Sequence, residues 1–172
     1  FTNCILASLC DSIQHIIKNP KIRILLYSAT WQMAVDLNLQ IQKRLQGTKR
    51  LAEIWGDMSK NNKECSQDRT RLAQNETREP TIQAAGIVNN LVGGHYDIII
   101  MDDVVNRDNV ATMDQITKVI QRYKDSLDLL EPHGQLLVIG TRWSDADLYS
   151  WILDPDNEIK HWFTDDELVA YR

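Results

Sequence analysis

Little in this sequence supplies stability or chemistry by any route other than a buried core. The 172 residues hold three cysteines, Cys4, Cys10 and Cys65. An odd number with no C-x-x-C pair excludes a closed disulfide framework and fits a reducing compartment. The four histidines, His15, His95, His133 and His161, share no zinc spacing with those cysteines. No apolar run approaches the ~18 to 20 residues that cross a bilayer, and no basic stretch followed by an apolar one and a cleavage site opens the chain. The expectation is a soluble protein with no membrane partner. Excess positive charge is also missing: the net charge is −5, which excludes a surface that grips nucleic acid everywhere and leaves room only for a local strip. Lys43, Arg44, Lys49 and Arg50 form one such strip, or simply a solvated helix end. Finally, none of the seven glycines is followed by Lys-Ser or Lys-Thr, so the chain has no G-x-x-x-x-G-K-[ST] phosphate cradle.

What is present suits one globular domain. Hydrophobic residues make up 43% and charged residues 25%, enough for a core at this length and too little chain for two ordinary domains. The chain begins at Phe1 without a methionine and stops at Tyr171-Arg172 with no capping tail, the pattern expected of a fragment.

Ile5, Leu6, Leu9, Ile13, Ile16 and Ile17 recur at helical spacing up to Asn19-Pro20. Ile22 to Ser28 reads as a buried strand, with Thr30 as N-cap of a helix carrying Ala34, Leu37, Ile41 and Leu45 and closed at Gly47. Leu51 to Trp55 is expected as a short strand. Gly56 to Asn75 reads as an exposed excursion with one short helix, and Thr81 to Gln83 as a weak strand. Ile98 to Met101 is a strand after a glycine-containing connection. Met113, Ile116, Val119, Ile120, Tyr123, Leu127 and Leu130 form a helical stripe ended by Glu131-Pro132-His133-Gly134. Leu136 to Gly140 is a strand without polar alternation, and Ser144 with Asp147 has capping-box spacing ahead of Leu148, Trp151 and Ile152. This order implies a three-layer α/β/α fold with a mainly parallel sheet.

Sheets of that kind bind ligands beyond the carboxyl ends of their strands. Ser28 to Thr30, Asp102-Asp103 and Gly140 to Trp143 all fall at such ends. In the stretch YDIIIMDDVV the paired acids have two readings, a plain strand followed by a polar loop, or a phosphoryl-transfer site. In the second reading Asp102 holds magnesium, often through its water, and Asp103 orients the attacking water. Asp103 can also serve merely to cap the turn.

KIRILLYSATWQMA, REPTIQAAG, YDIIIMDDVV, EPHGQLLVIGTRW and SDADLYSWIL together resemble the ATPase domain of phage large terminase subunits, the DNA-packaging motors. The similarity runs from Phe1 to about Leu153 and is most specific in DDVV with GTRW at its expected distance. It implies an additional-strand (ASCE) P-loop NTPase fold, incomplete here. Residues 1–172 would be a single partial ATPase domain, with its core at about 1–153 and with 154–172 as the domain's end or a linker toward a nuclease domain. It also implies ATP and Mg2+ as cofactors, with Asp102 at the metal, Asp103 and Thr141 catalytic, and Gly140, Thr141 and Arg142 at the nucleotide. Arg142 reads as a phosphate sensor or as a salt-bridge partner, and Trp143 as core or as a ligand contact. The implied partners are double-stranded DNA, the viral portal, the small terminase subunit and further copies in a homo-oligomeric ring, in the cytoplasm of a bacterial host during phage assembly.

Two departures stand against the family pattern. The family commonly has Asp-Glu where this chain has Asp102-Asp103, so the shorter acid must sit about one methylene nearer its water. The phosphate cradle and the nuclease domain are absent, the cradle being expected immediately upstream. Asp165 and Asp166 read as solvent-facing charges and do not replace that nuclease. Arg78 is an arginine-finger candidate or a structural ion pair. Two other functions remain open. Ser28-Ala29-Thr30 suggests a superfamily 2 helicase, although there the tripeptide follows the paired acids and here it precedes them. The other is a non-catalytic α/β binding module.

Overall fold

In the computed structural model, residues 2–56, 62–89, 91 and 93–154 are described. Asp165, Asp166 and the expected linker lie outside that range. The elements are α1 (Thr2–Lys18), β1 (Ile24–Ser28), α2 (Trp31–Gly47), α3 (Lys49–Trp55), β2 (Glu64–Cys65), β3 (Arg69–Arg71), β4 (Ile82–Gly86), β5 (Tyr96–Asp102), a 3-10 turn (Asp108–Val110), α4 (Met113–Leu127), β6 (Leu130–Ile139) and α5 (Leu148–Ile152). Their six strands form one sheet in the order β2-β3-β4-β1-β5-β6. β4, β1, β5 and β6 run parallel, while β2 and β3 pair antiparallel along the β4 edge. No helix among the described residues is long and apolar enough to cross a membrane.

The unalternated strands follow from cover on both faces. Ile24, Leu26, Ile98 and Ile100 pack with Leu9 and Ile16 of α1 and Leu37 and Ile41 of α2. Their neighbours Leu25, Tyr27, Ile99 and Met101 pack on the other face with Val119 and Tyr123 of α4 and Leu148 and Tyr149 of α5. Each such large side chain stabilises the fold by on the order of 1.5 to 3 kcal/mol. Thr30 caps α2 by accepting the Met33 N–H at 3.3 Å. Thr112 and Gln115 form a reciprocal capping box on α4.

Three expectations fail, each for a physical reason. Leu51 to Trp55 is helical and contributes no buried residue; Lys, Arg, Leu, Ala and Glu are good helix formers, and five residues show too little period to say otherwise. Among its described residues, the excursion before Asn75 contains the β2–β3 hairpin and no helix. It is anchored through Thr70, whose hydroxyl donates to Asn38 Oδ1 at 2.8 Å and accepts from Gln42 Nε2 at 2.8 Å. The α4 helix stops at Leu127, and Leu130 pairs with Tyr96 as the start of β6, so Glu131 to Gly134 form an irregularity within that strand. Arg23 fixes it by bonding Asp97 Oδ1 at 2.6 Å and Glu131 Oε1 at 2.9 Å.

Candidate functional site

Parallel pairing brings the carboxyl ends of β1, β5 and β6 to one rim, and Asp103 ties them together. Its N–H donates to Ile139 O at 2.9 Å and its carbonyl accepts the Ala29 N–H at 3.2 Å. It is the only non-glycine residue with positive φ among those described, at 46°, a conformation that Asp tolerates better than most side chains. Ser28 to Thr30, Asp102-Asp103 and the turn from Gly140 are therefore adjacent, as the sequence implied.

Period-two alternation sends Asp102 to the α1 side of the sheet with Ile98 and Ile100, and it ends there, because the positive φ of Asp103 takes the chain out of strand geometry. Both carboxylates are buried, at 5% and 8% exposure. Burial pushes Asp102 up to about 6, the charge of Asp103 adds to this, and the nearby Ser8 hydroxyl opposes it. Asp103 is also raised, chiefly by burial, with the neighbouring Thr141 N–H acting against it. Acids whose ionisation is disfavoured by burial gain from a nearby cation.

The Gly140 to Trp143 turn is held by α5. A Cβ on Gly140 would lie 1.9 Å from Tyr149 Oη, so glycine is required for the ring to close over the turn; the Tyr149 hydroxyl donates to Ile139 O at 3.4 Å. Asp147, fully buried, accepts from the N–H groups of Trp143 at 2.7 Å, Ser144 at 3.1 Å and Ser150 at 2.9 Å. Those bonds outweigh the opposing effect of burial and hold its acidity below the usual carboxylate range. Asp147, rather than Ser144, is thus the helix N-cap. Thr141 places its backbone against Asp103. Arg142 is exposed and pairs with exposed Asp145 at 3.2 Å, which matches its salt-bridge reading; an ion pair this open contributes little. Trp143 is 46% exposed and is no part of the core. Arg142, Trp143, Ser144 and Asp145 line a depression of about 410 Å3 to which neither aspartate contributes.

Arg78 does not join the site. It precedes β4, at the opposite rim, where its carbonyl accepts from Arg71 Nη2 at 2.6 Å. Ser8, in contrast, joins without having been anticipated. It is fully buried on α1, and its Oγ, like Asp102 Oδ1, lacks a hydrogen bond of ordinary geometry. The signal was available in Ser8 and Ser12, two hydroxyls at i and i+4 within an apolar stripe. Ser12 donates to the Ser8 carbonyl at 2.7 Å, and the Ser8 hydroxyl acts on the acidity of Asp102.

Among the described residues no group of three or more His, Cys, Asp or Glu side chains is placed to hold a metal. A magnesium-like ion needs only one or two protein carboxylates beside its waters and substrate oxygens, and buried Asp102 is one carboxylate at this rim. The enclosed, unpartnered Asp102 Oδ1 is consistent with a group that meets a positive partner when the site is loaded. Compared with known proteins, the chain matches no family model and no curated protein sequence.

Proposed function

We propose that this rim is the acid-bearing half of a magnesium-dependent ATP hydrolysis site of the P-loop class, in a motor domain like that of phage large terminases. The observation that carries the reading is the left-handed Asp103, bonded through its own backbone to both neighbouring strand ends. Asp102 would hold the ion on the α1 side, and the ion would screen the charge of the transferring phosphoryl group. Asp103 would accept a proton from, or orient, the attacking water. Thr141 stands where a change at the phosphate can be passed to α5 through the Asp147 lock.

The free edge of the sheet supports the same reading. Among the described residues β6 pairs with β5 alone, yet Leu136 to Ile139 are apolar on both faces and only part-buried. Such a strand suits the interior of a parallel sheet. A further parallel strand beside β6 would deliver a phosphate-cradling loop to the rim that bears Asp102. Translocation of double-stranded DNA by a ring of copies belongs to the same proposal.

The test is ATP turnover by a chain carrying a G-x-x-x-x-G-K-[ST] segment ahead of α1. Asp102→Ala is expected to abolish it. Turnover at the parent rate would remove Asp102 from the metal site, and an upstream sequence with no such segment would favour the binding-module reading.

A further inference from the structure

Charge is spread unevenly along this chain. Residues 43–71 hold eight of its nineteen lysines and arginines and four of its twenty-four acids, a local net charge of +4 in a protein whose total is −5. Part of that charge is engaged: on the β2–β3 hairpin, Arg69 and Arg71 share Glu64 at 3.5 and 3.8 Å. Lys43 and Arg44 toward the end of α2, and Lys49 and Arg50 in the first turn of α3, are all exposed and make no ion pair among the described residues. Fold stability does not account for them as a group. Arg44 complements the C-terminal end of α2, but Lys49 and Arg50 oppose the dipole of α3, whose first turn holds no acid and which contributes no buried residue. Like charges gathered at one corner repel, and a polyanion removes that cost.

We propose that the α2–α3 corner is a docking surface for the phosphate backbone of duplex DNA, with Lys43, Arg44, Lys49 and Arg50 as its contacts. The identity of the polyanion rests on the reading of the chain as a DNA-translocating domain; the surface itself is read from its charge. Single strands are gripped by cations interleaved with stacking aromatics, whereas Trp55, 51% exposed at the end of α3, is the one exposed aromatic ring of the corner among the described residues. A membrane surface needs a broad apolar helix face, and α3 has only seven residues. α2 starts beside Asp103, and its 17 residues span ~25 Å. The corner therefore stands well away from the paired acids, and duplex and nucleotide occupy separate surfaces. Contacts of this kind go to phosphates without reading bases, so the affinity depends on salt and not on sequence.

The experiment is fluorescence anisotropy of a labelled duplex of about 20 base pairs with the parent chain, without nucleotide or divalent cation, between about 50 and 200 mM KCl. Four phosphate contacts predict a slope of about −3.6 in log K against log salt, an affinity loss of roughly 100-fold over that range. Lys49→Gln with Arg50→Gln is expected to halve the slope with no loss of thermal stability, because both cations oppose the helix dipole. Adding Lys43→Gln and Arg44→Gln is expected to bring the slope close to zero. The control is Arg107→Gln with Lys118→Gln, exposed cations beside and on α4, which removes the same charge and is expected to keep the parent slope. Equal weakening by the two pairs would assign binding to overall charge and overturn the proposal, as would a parent that fails to bind the duplex at about 50 mM salt. Tighter binding to a single strand of the same length, to phosphatidylserine vesicles or to polyglutamate would overturn the choice of duplex DNA. Because the assay contains no nucleotide, failure of this proposal shows in anisotropy and failure of the ATPase reading in turnover, each without the other.

Discussion

Replacing Gly140 by alanine probes the turn that carries Thr141 without touching either acid. The added methyl would lie 1.9 Å from Tyr149 Oη and 2.3 Å from Cζ, whereas relaxed carbon contacts fall at about 3.5 to 4.0 Å, so the ring must retreat by roughly 1.5 Å. It has little room. Tyr149 is 8% exposed and packs among Val104, Val105 and Leu148, and retreat also breaks its bond to Ile139 O. Overpacking of this kind costs ~1 to 3 kcal/mol. The rigidity of the ring argues for the upper part of that range, which corresponds to a fall of about 5 to 10 °C in Tm for a domain of this size. Urea denaturation of Gly140→Ala, Tyr149→Ala and the double variant would isolate the cause. With the ring gone, the alanine at 140 is expected to cost less than about 0.5 kcal/mol. An equal cost in both backgrounds, or a Gly140→Ala protein as stable as its parent, would refute the packing account and leave phosphate approach as the reason for the glycine.

Asp102 at the rim and Asp147 at the start of α5 predict pH effects of opposite sign. The folded-state value of Asp102, about 6, lies above the ordinary carboxylate range. Its protonation therefore favours the folded chain fully below about pH 4, and this stabilisation is lost as pH rises through about 6. Asp102→Asn is accordingly expected to exceed the parent by about 1 to 2 kcal/mol at pH 7.5 without cation, after discounting for solvent screening, with the Tm difference closing toward zero near pH 4. A difference constant across that range would contradict it. Asp147 is held low instead, so its contribution is present at neutral pH and lost as pH falls below about 4. Asp147→Ala, which strands three backbone donors, is expected to lower stability by roughly 2 to 4 kcal/mol at pH 7 in thermal melts.

Much of the sheet was legible because its strands are short apolar runs closed by polar residues. Ile98 to Asp102 and Leu136 to Ile139 announce parallel strands, and chain order alone then places their carboxyl ends together. What escaped was decided by contacts distant in sequence. The β2–β3 hairpin carries no pattern of its own; it exists because Asn38 and Gln42, on a helix some thirty residues earlier, satisfy Thr70. Leu130 fits the α4 stripe in period, yet Tyr96 and the Arg23 bridge to Glu131 claim it for β6. At the site, Asp102, Asp103 and the Gly140 turn could be found from their motifs. Ser8 could not be found by looking for apolar periodicity, because the informative residue was the one that broke the stripe.

The geometry of Asp103 also bears on why this chain has two aspartates where the resembling family commonly has Asp-Glu. A left-handed residue other than glycine is strained by roughly 1 to 2 kcal/mol, least for Asp and Asn, whose short side chains bond locally. At position 103 the strain is imposed from both sides, since the N–H is committed to Ile139 and the carbonyl to Ala29. A glutamate would meet the same backbone demand with a longer side chain less suited to local bonding. The shorter acid is therefore what this turn accommodates. Because that residue joins β1, β5 and β6, a displacement of the strand end at Ile139, which leads into the Gly140 turn, pulls on the Asp103 backbone. The rigidity of the rim and the position of its second acid thus have one cause, a single residue held at φ 46°.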